Sequence, residues 1–170
     1  MEERAAAVTM KGSPLTVLGP ARKPGDKLPD FTVVDNALQP VRAGDTSGKV
    51  RIIAAVPSLD TPVCDRETRR FNEAASALGG VEVLVVSTDL PFAQKRWCGA
   101  AGVSRVRTLS DYQTGSFGLA MGTLIKDLRL EARAVFVVDK NDVIRYVEYV
   151  PEIGADPNYD AALEAAKQLL

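Results

Sequence analysis

Residues 50–64 read Val50-Arg51-Ile52-Ile53-Ala54-Ala55-Val56-Pro57-Ser58-Leu59-Asp60-Thr61-Pro62-Val63-Cys64 and combine a strand pattern with the start of a helix. The first seven residues are apolar except for one charge, which is typical of a central strand buried on both faces. Pro57 ends this run, because proline supplies no N–H to a sheet ladder. Thr61 followed by Pro62 predicts an N-cap and the first helical residue, so Cys64 is expected in the first helical turn.

Cys64 would therefore lie among unpaired backbone N–H groups at the positive end of a helix dipole. Both features favour the thiolate, which is the nucleophilic form of cysteine. The helix is predicted to end near Leu78, before Gly79-Gly80, and an inward stripe formed by Cys64, Thr68, Phe71, Ala75 and Leu78 indicates packing on a sheet. Free cysteines often serve only as small core residues, but the first turn lies where this stripe meets the loop and solvent, which favours a nucleophile in a small pocket.

The composition indicates a globular protein of ordinary character. With 170 residues, of which 46 % are hydrophobic, the chain is expected to form a single domain over residues 1–170. A net charge of −1 with no block of like charges argues against binding to nucleic acid or to a membrane surface. No apolar segment is long enough to span a bilayer and the N-terminus has no signal-peptide pattern, so a cytoplasmic location is predicted.

The chain contains two cysteines, Cys64 and Cys98, and no histidine. The absence of histidine excludes Cys-His and Ser-His nucleophilic machinery within this chain, and also any metal site that requires histidine. The cysteine spacing fits neither a paired zinc site nor a C-x-x-C redox motif. From the residues alone, two interpretations stay open: two core cysteines, or a functional pair of thiols.

The remaining patterns predict a β-α-β unit followed by helices, a hairpin and a last helix. Cys98 falls towards the C-terminal end of its helix, where the dipole disfavours a thiolate. This order is that of a thioredoxin-like α/β fold, with a central mixed sheet flanked by helices and an N-terminal β-hairpin extension. The predicted elements are strands at 8–10, 15–18, 31–34, 38–41, 50–56, 81–87, 106–109, 132–139 and 143–150, and helices at 62–78, 92–101, 114–121 and 157–170.

Several of these segments resemble one family. Residues 57–64, together with Thr68-Arg69-Arg70-Phe71-Asn72, are similar to the active-site motif of the bacterial thiol peroxidases, the atypical two-cysteine peroxiredoxins. Asp89-Leu90-Pro91-Phe92-Ala93-Gln94 with Cys98-Gly99 resembles the second signature of that family, and Ala132-Arg133-Ala134 resembles the strand that carries its arginine. The resemblance spans nearly the whole chain.

The resemblance implies a role for five residues. Cys64 corresponds to the peroxidatic cysteine, and Cys98 to a resolving cysteine that forms an intramolecular disulfide with it. Thr61 corresponds to the hydroxyl that contacts the sulfur and the peroxide, Arg133 to the arginine that stabilises the thiolate, and Pro57 to the proline that shields the pocket. The resemblance also implies a peroxide substrate, recycling by thioredoxin, a homodimer, and no metal or organic cofactor.

Other interpretations of the same residues remain. Thr61 is expected to cap the helix whether or not it also acts in catalysis. Arg133 could form a surface ion pair, although an arginine inside an apolar strand requires a buried anionic partner. A disulfide reductase on the same fold and a non-enzymatic redox sensor that uses Cys64 and Cys98 are the alternative functions. If the two cysteines pair, local unfolding of both helix ends is expected. Packed helix axes lie about 8–10 Å apart, which is farther than a disulfide can bridge.

Overall fold

The computed structural model describes residues 1–170. A 3-10 helix spans Ala43–Thr46. The strands and helices are β1 Glu3–Met10, β2 Ser13–Leu18, β3 Thr32–Val34, β4 Pro40–Arg42, β5 Val50–Ala55, α1 Pro62–Leu78, β6 Val81–Ser87, α2 Pro91–Ala101, β7 Val106–Ser110, α3 Ser116–Met121, β8 Leu124–Ile125, β9 Ala134–Val138, β10 Ile144–Tyr149 and α4 Tyr159–Lys167. None of these helices combines the length and the apolar character needed to cross a membrane.

The central sheet is mixed and has seven strands, in the order β10-β9-β5-β6-β7-β3-β4. β5 pairs parallel with β6, as expected for a β-α-β unit, and antiparallel with β9 on its other edge. A separate three-stranded sheet, β1-β2-β8, contains the predicted N-terminal hairpin. The structure therefore confirms the predicted thioredoxin-like architecture with its N-terminal extension.

β5 is buried along its whole length, including its one charged residue. The guanidinium of Arg51 donates to Asp142 at 2.6 Å and to the hydroxyl of Thr46 at 2.9 Å. A buried cation is tolerated when it is paired and hydrogen-bonded in this way. Strand β5 can therefore cross the core along its whole length, and it leads directly into the loop before α1.

α1 begins and ends where the sequence predicts. Its predicted inward stripe is correct, since Cys64, Thr68, Phe71 and Ala75 are buried and Leu78 is half-buried. Gly79 follows the last helical residue with a φ of 61°, a left-handed value that favours glycine. The apolar stripe packs α1 on the β5–β6 side of the sheet, and this packing fixes the position of the first turn.

The prediction for the C-terminal helix was wrong in its bounds and in part of its buried face. The side chain of Asn158 accepts from the N–H of Ala161 and caps the helix, so α4 starts at Tyr159. Ala162 and Ala166 are its fully buried residues, whereas Leu170, the last residue of the predicted helix, lies beyond α4 and is 52 % exposed. The two-residue strand β8 was not predicted, because it is too short to show a period in the sequence.

Candidate active site

The candidate site surrounds Cys64 in the first turn of α1. The cysteine is free and has no solvent-exposed surface. Thr61 is the N-cap residue, as predicted, but its hydroxyl does not cap the helix. It donates instead to the carbonyl of Ser58 at 3.0 Å, so the expectation that this side chain caps α1 was wrong. The Thr61 hydroxyl is thereby held by the preceding loop, immediately before the helix that carries the sulfur.

Arg133 contacts this sulfur from the neighbouring strand. β9 runs antiparallel to β5 with Ala134 opposite Ala55, so the start of β9 lies beside the end of β5 that leads to α1. Arg133 immediately precedes β9, and its Nη2 lies 3.2 Å from Sγ of Cys64. The topology of the sheet therefore brings together two residues that are 69 positions apart in the sequence.

The guanidinium of Arg133 is held by two further partners. Nη1 donates to Oε2 of Glu67 at 2.5 Å, and Nε and Nη2 donate to the carbonyl of Ile153 at 3.1 and 2.8 Å. Burial lowers the pKa of the Arg133 guanidinium, but Cys64 and Glu67 outweigh this effect, so its pKa lies above the ordinary value. A fixed, permanently charged donor therefore faces the sulfur of Cys64 in a region without water exposure.

Glu67 is a member of this cluster that the sequence did not single out. It is fully buried, and its Oε1 has no hydrogen-bond partner. Burial raises the pKa of Glu67 to about 7, against the lowering effect of Arg133. The available signal was helical spacing, because Glu67 lies three residues after Cys64 and four before Phe71, on the inward face of α1. A carboxylate at such a position requires a buried cation.

Pro57 is buried in the loop that connects β5 to α1. Asp89, from the turn after β6, holds this loop by accepting from the hydroxyl of Ser58 at 2.7 Å and from the N–H of Leu59 at 2.8 Å. The hydroxyl of Ser87 donates to the same carboxylate at 2.7 Å. Asp89 thus anchors the segment that carries Pro57 and Thr61 to the neighbouring strand, a role that its place in the second signature did not reveal.

Cys98 lies in the last turn of α2 and is half-buried. It is a free thiol, with its sulfur 3.5 Å from the hydroxyl of Thr108 on β7. Gly102 ends the helix in the left-handed conformation. The structure therefore brings Cys64, Thr61 and Arg133 together at the start of α1, whereas Cys98 has a separate environment at the end of α2.

Chemically, the arrangement presents a buried sulfur to a fixed cation beside a hydroxyl group. The guanidinium of such a site can stabilise negative charge that develops on the sulfur or on an atom close to it. No three His, Cys, Asp or Glu side chains converge as candidate ligands for a metal ion. The groups that the geometry offers for chemistry are thus a nucleophile, a guanidinium and a hydroxyl.

Comparison with known proteins gives a consistent result. Residues 23–163 match the Redoxin family. The chain is 58 % identical over 165 residues to the thiol peroxidase of Halalkalibacterium halodurans, covering 97 % of this chain and 99 % of that protein. It is 54 % identical to the thiol peroxidase of Bacillus subtilis over the same shares of the two chains. The crystal structure of a peroxiredoxin-like protein from Aquifex aeolicus superposes with a TM-score of 0.90 at 44 % identity and covers 98 % of this chain and 99 % of that one.

Proposed function

Because this chain belongs to the thiol peroxidases of the Redoxin family, we propose that it reduces hydrogen peroxide and organic hydroperoxides with Cys64 as the nucleophile. The observation that carries the proposal is the 3.2 Å contact between Nη2 of Arg133 and Sγ of Cys64. A thiolate is the reactive form of cysteine, and a guanidinium at this distance stabilises negative charge on the sulfur during the reaction. The first-turn position of Cys64 acts in the same direction.

In the first step, the Cys64 thiolate attacks one peroxide oxygen and the O–O bond breaks. The sulfur becomes a sulfenic acid, and the leaving oxygen takes up a proton and departs as water or an alcohol. Arg133 stabilises the charge that moves from sulfur to the leaving oxygen. The Thr61 hydroxyl donates its own proton to Ser58 and orients the peroxide by accepting from the peroxide O–H. Pro57 shields the pocket from solvent.

In the second step, the thiol of Cys98 displaces the hydroxyl group of the Cys64 sulfenic acid, which forms a disulfide and releases one water molecule. Thioredoxin then supplies the two electrons that return both cysteines to thiols. We assign these steps to a single domain, residues 1–170, which acts as a homodimer in the cytoplasm without a metal or organic cofactor. The similarity to named thiol peroxidases over nearly the whole chain supports this assignment.

Rapid-mixing kinetics of the fully reduced protein with hydrogen peroxide and with an alkyl hydroperoxide tests the proposal. The wild-type protein should react far faster than a free thiol, whereas Cys64→Ser should consume no peroxide. Cys98→Ser is the matched control, because it removes the other thiol and should leave the first step intact. Turnover by Cys64→Ser, or a wild-type rate no greater than that of free cysteine, would contradict the proposal.

A further inference from the structure

We propose that Asp65 and Trp97 form a latch that holds the reduced fold and limits the rate at which Cys64 and Cys98 can join. Nε1 of Trp97 donates to Oδ1 of Asp65 at 2.9 Å and links the first turn of α1 to α2. Asp65 directly follows Cys64, and Trp97 directly precedes Cys98. The bond therefore joins the immediate neighbours of the two cysteines.

Arg69 completes the latch. Its Nε donates to the second carboxylate oxygen of Asp65 at 2.9 Å, and its Nη1 donates to the carbonyl of Ala101 at the end of α2 at 3.1 Å. Its guanidinium carbon lies 5.8 Å from the centre of the Trp97 ring, within cation–π distance. Trp97 is only 8 % exposed, so the N–H of this nearly buried ring would lose its charged partner if the latch opened.

The bond between residues 65 and 97 and a disulfide between residues 64 and 98 require different rotations of the two helices about their axes. Consecutive residues of an α-helix point about 100° apart around its axis. When residues 65 and 97 face each other, residues 64 and 98 are consequently rotated away from that contact. Their sulfurs have other neighbours instead, Arg133 for Cys64 and Thr108 for Cys98. Pairing the sulfurs therefore requires that a helix end unwinds and that the bond between Asp65 and Trp97 breaks.

This inference rests on the proposed function, because the latch matters only once Cys64 has become a sulfenic acid. That species has two competing fates. Attack by the Cys98 thiol gives the disulfide and water, whereas attack on a second peroxide gives a sulfinic acid and water or an alcohol. The latch slows disulfide formation and leaves the rate of sulfinic acid formation unchanged. It therefore sets the peroxide concentration at which the enzyme over-oxidises.

Trp97→Phe is the first variant, since it keeps an aromatic ring at this position and removes the N–H donor together with part of the indole. The lost bond is one to a charged group, so the disulfide should form about tenfold faster after a single equivalent of peroxide. Half-maximal sulfinic acid formation should require a correspondingly higher peroxide concentration. Quenched-flow alkylation with mass spectrometry measures both quantities.

Asp65→Ala provides a second route, since it retains the only tryptophan of the chain as a fluorescent reporter. Disulfide formation should accelerate in this variant too. The double variant should be no faster than Asp65→Ala alone, because both lack the bond between residues 65 and 97 and the contact between Asp65 and Arg69. Arg96→Ala is the control: its side chain lies beside Trp97 on α2 but makes only an exposed 3.8 Å pair with Asp60. It should form the disulfide at the wild-type rate.

The outcomes separate the two hypotheses. Equal rates of disulfide formation in the wild type and Trp97→Phe, or additive effects of the two latch variants, would contradict the latch. A wild-type protein that consumes no peroxide, or consumes it without forming the bond between Cys64 and Cys98, would contradict the proposed function instead.

Discussion

Glu67 and Cys64 share a single guanidinium, with Nη1 of Arg133 on the carboxylate at 2.5 Å and Nη2 on the sulfur at 3.2 Å. The guanidinium that contacts the sulfur is therefore also the only cation paired with the buried carboxylate of Glu67. When Glu67 is protonated, its carboxyl carries no negative charge, so the positive charge of Arg133 acts on the Cys64 sulfur alone. The protonation state of Glu67 consequently affects both the stability of the fold and the electrostatics around Cys64.

Glu67→Gln should change how the stability of the reduced protein depends on pH. The pKa of Glu67 is about 7 in the folded protein and 4.5 for the ordinary side chain, so the folded state binds more protons between these values. The free energy of unfolding of the wild type should therefore fall by about 3 kcal/mol more than that of the variant as the pH rises from 4 to 8. Urea denaturation at both pH values measures it, and parallel profiles would contradict the prediction.

Arg133→Met should slow the reaction with peroxide by about 10²–10³-fold, the usual effect of removing one donor to a developing negative charge. It should also destabilise the fold, most strongly at alkaline pH, because the buried carboxyl of Glu67 loses its cation and must either stay charged or take up a proton. The double variant Arg133→Met/Glu67→Gln removes that charge, so it should recover most of the stability and none of the rate. Recovery of the rate would show that Arg133 acts only through folding.

Thr61→Val should lower the rate of peroxide reduction by about 10²-fold, because the peroxide loses the hydroxyl that orients it. Its effect on stability should stay below the ~1 kcal/mol typical of a lost N-cap, because the hydroxyl does not cap α1. The matched variant Thr61→Ser keeps the hydroxyl and should keep most of the rate. Single-turnover kinetics and urea denaturation measure the two effects, and a wild-type rate in Thr61→Val would make the hydroxyl dispensable.

Cys98→Ser should reduce a single equivalent of peroxide and then stop. Without the resolving thiol, the Cys64 sulfenic acid persists and further peroxide converts it to the sulfinic acid. An added small thiol should restore turnover by taking the place of Cys98. Mass spectrometry after graded additions of peroxide follows these species, and sustained turnover with thioredoxin at the wild-type rate would remove Cys98 from the cycle.

The sequence was most informative where one local signal determines one feature. Pro62 and Gly79 bound α1, and the apolar run of β5 identified the centre of the sheet. The role of Glu67 could not be recognised in this way, because its partner comes from a strand far along the chain. The same is true of the Asp65–Trp97 bond, which depends on how two helices are rotated against each other. The Thr61 hydroxyl was misjudged because Ser58 offers it a competing acceptor in the preceding loop.

The place of β9 between β10 and β5 has a consequence for synthesis of the protein. A growing chain that has emerged only through β7 contains Cys64, its helix and the parallel strands, but not the arginine that contacts the sulfur. At that stage the first turn of α1 can form, but the sulfur has no guanidinium beside it. The contact between Arg133 and the Cys64 sulfur can thus form only after β9 has left the ribosome and paired with β5.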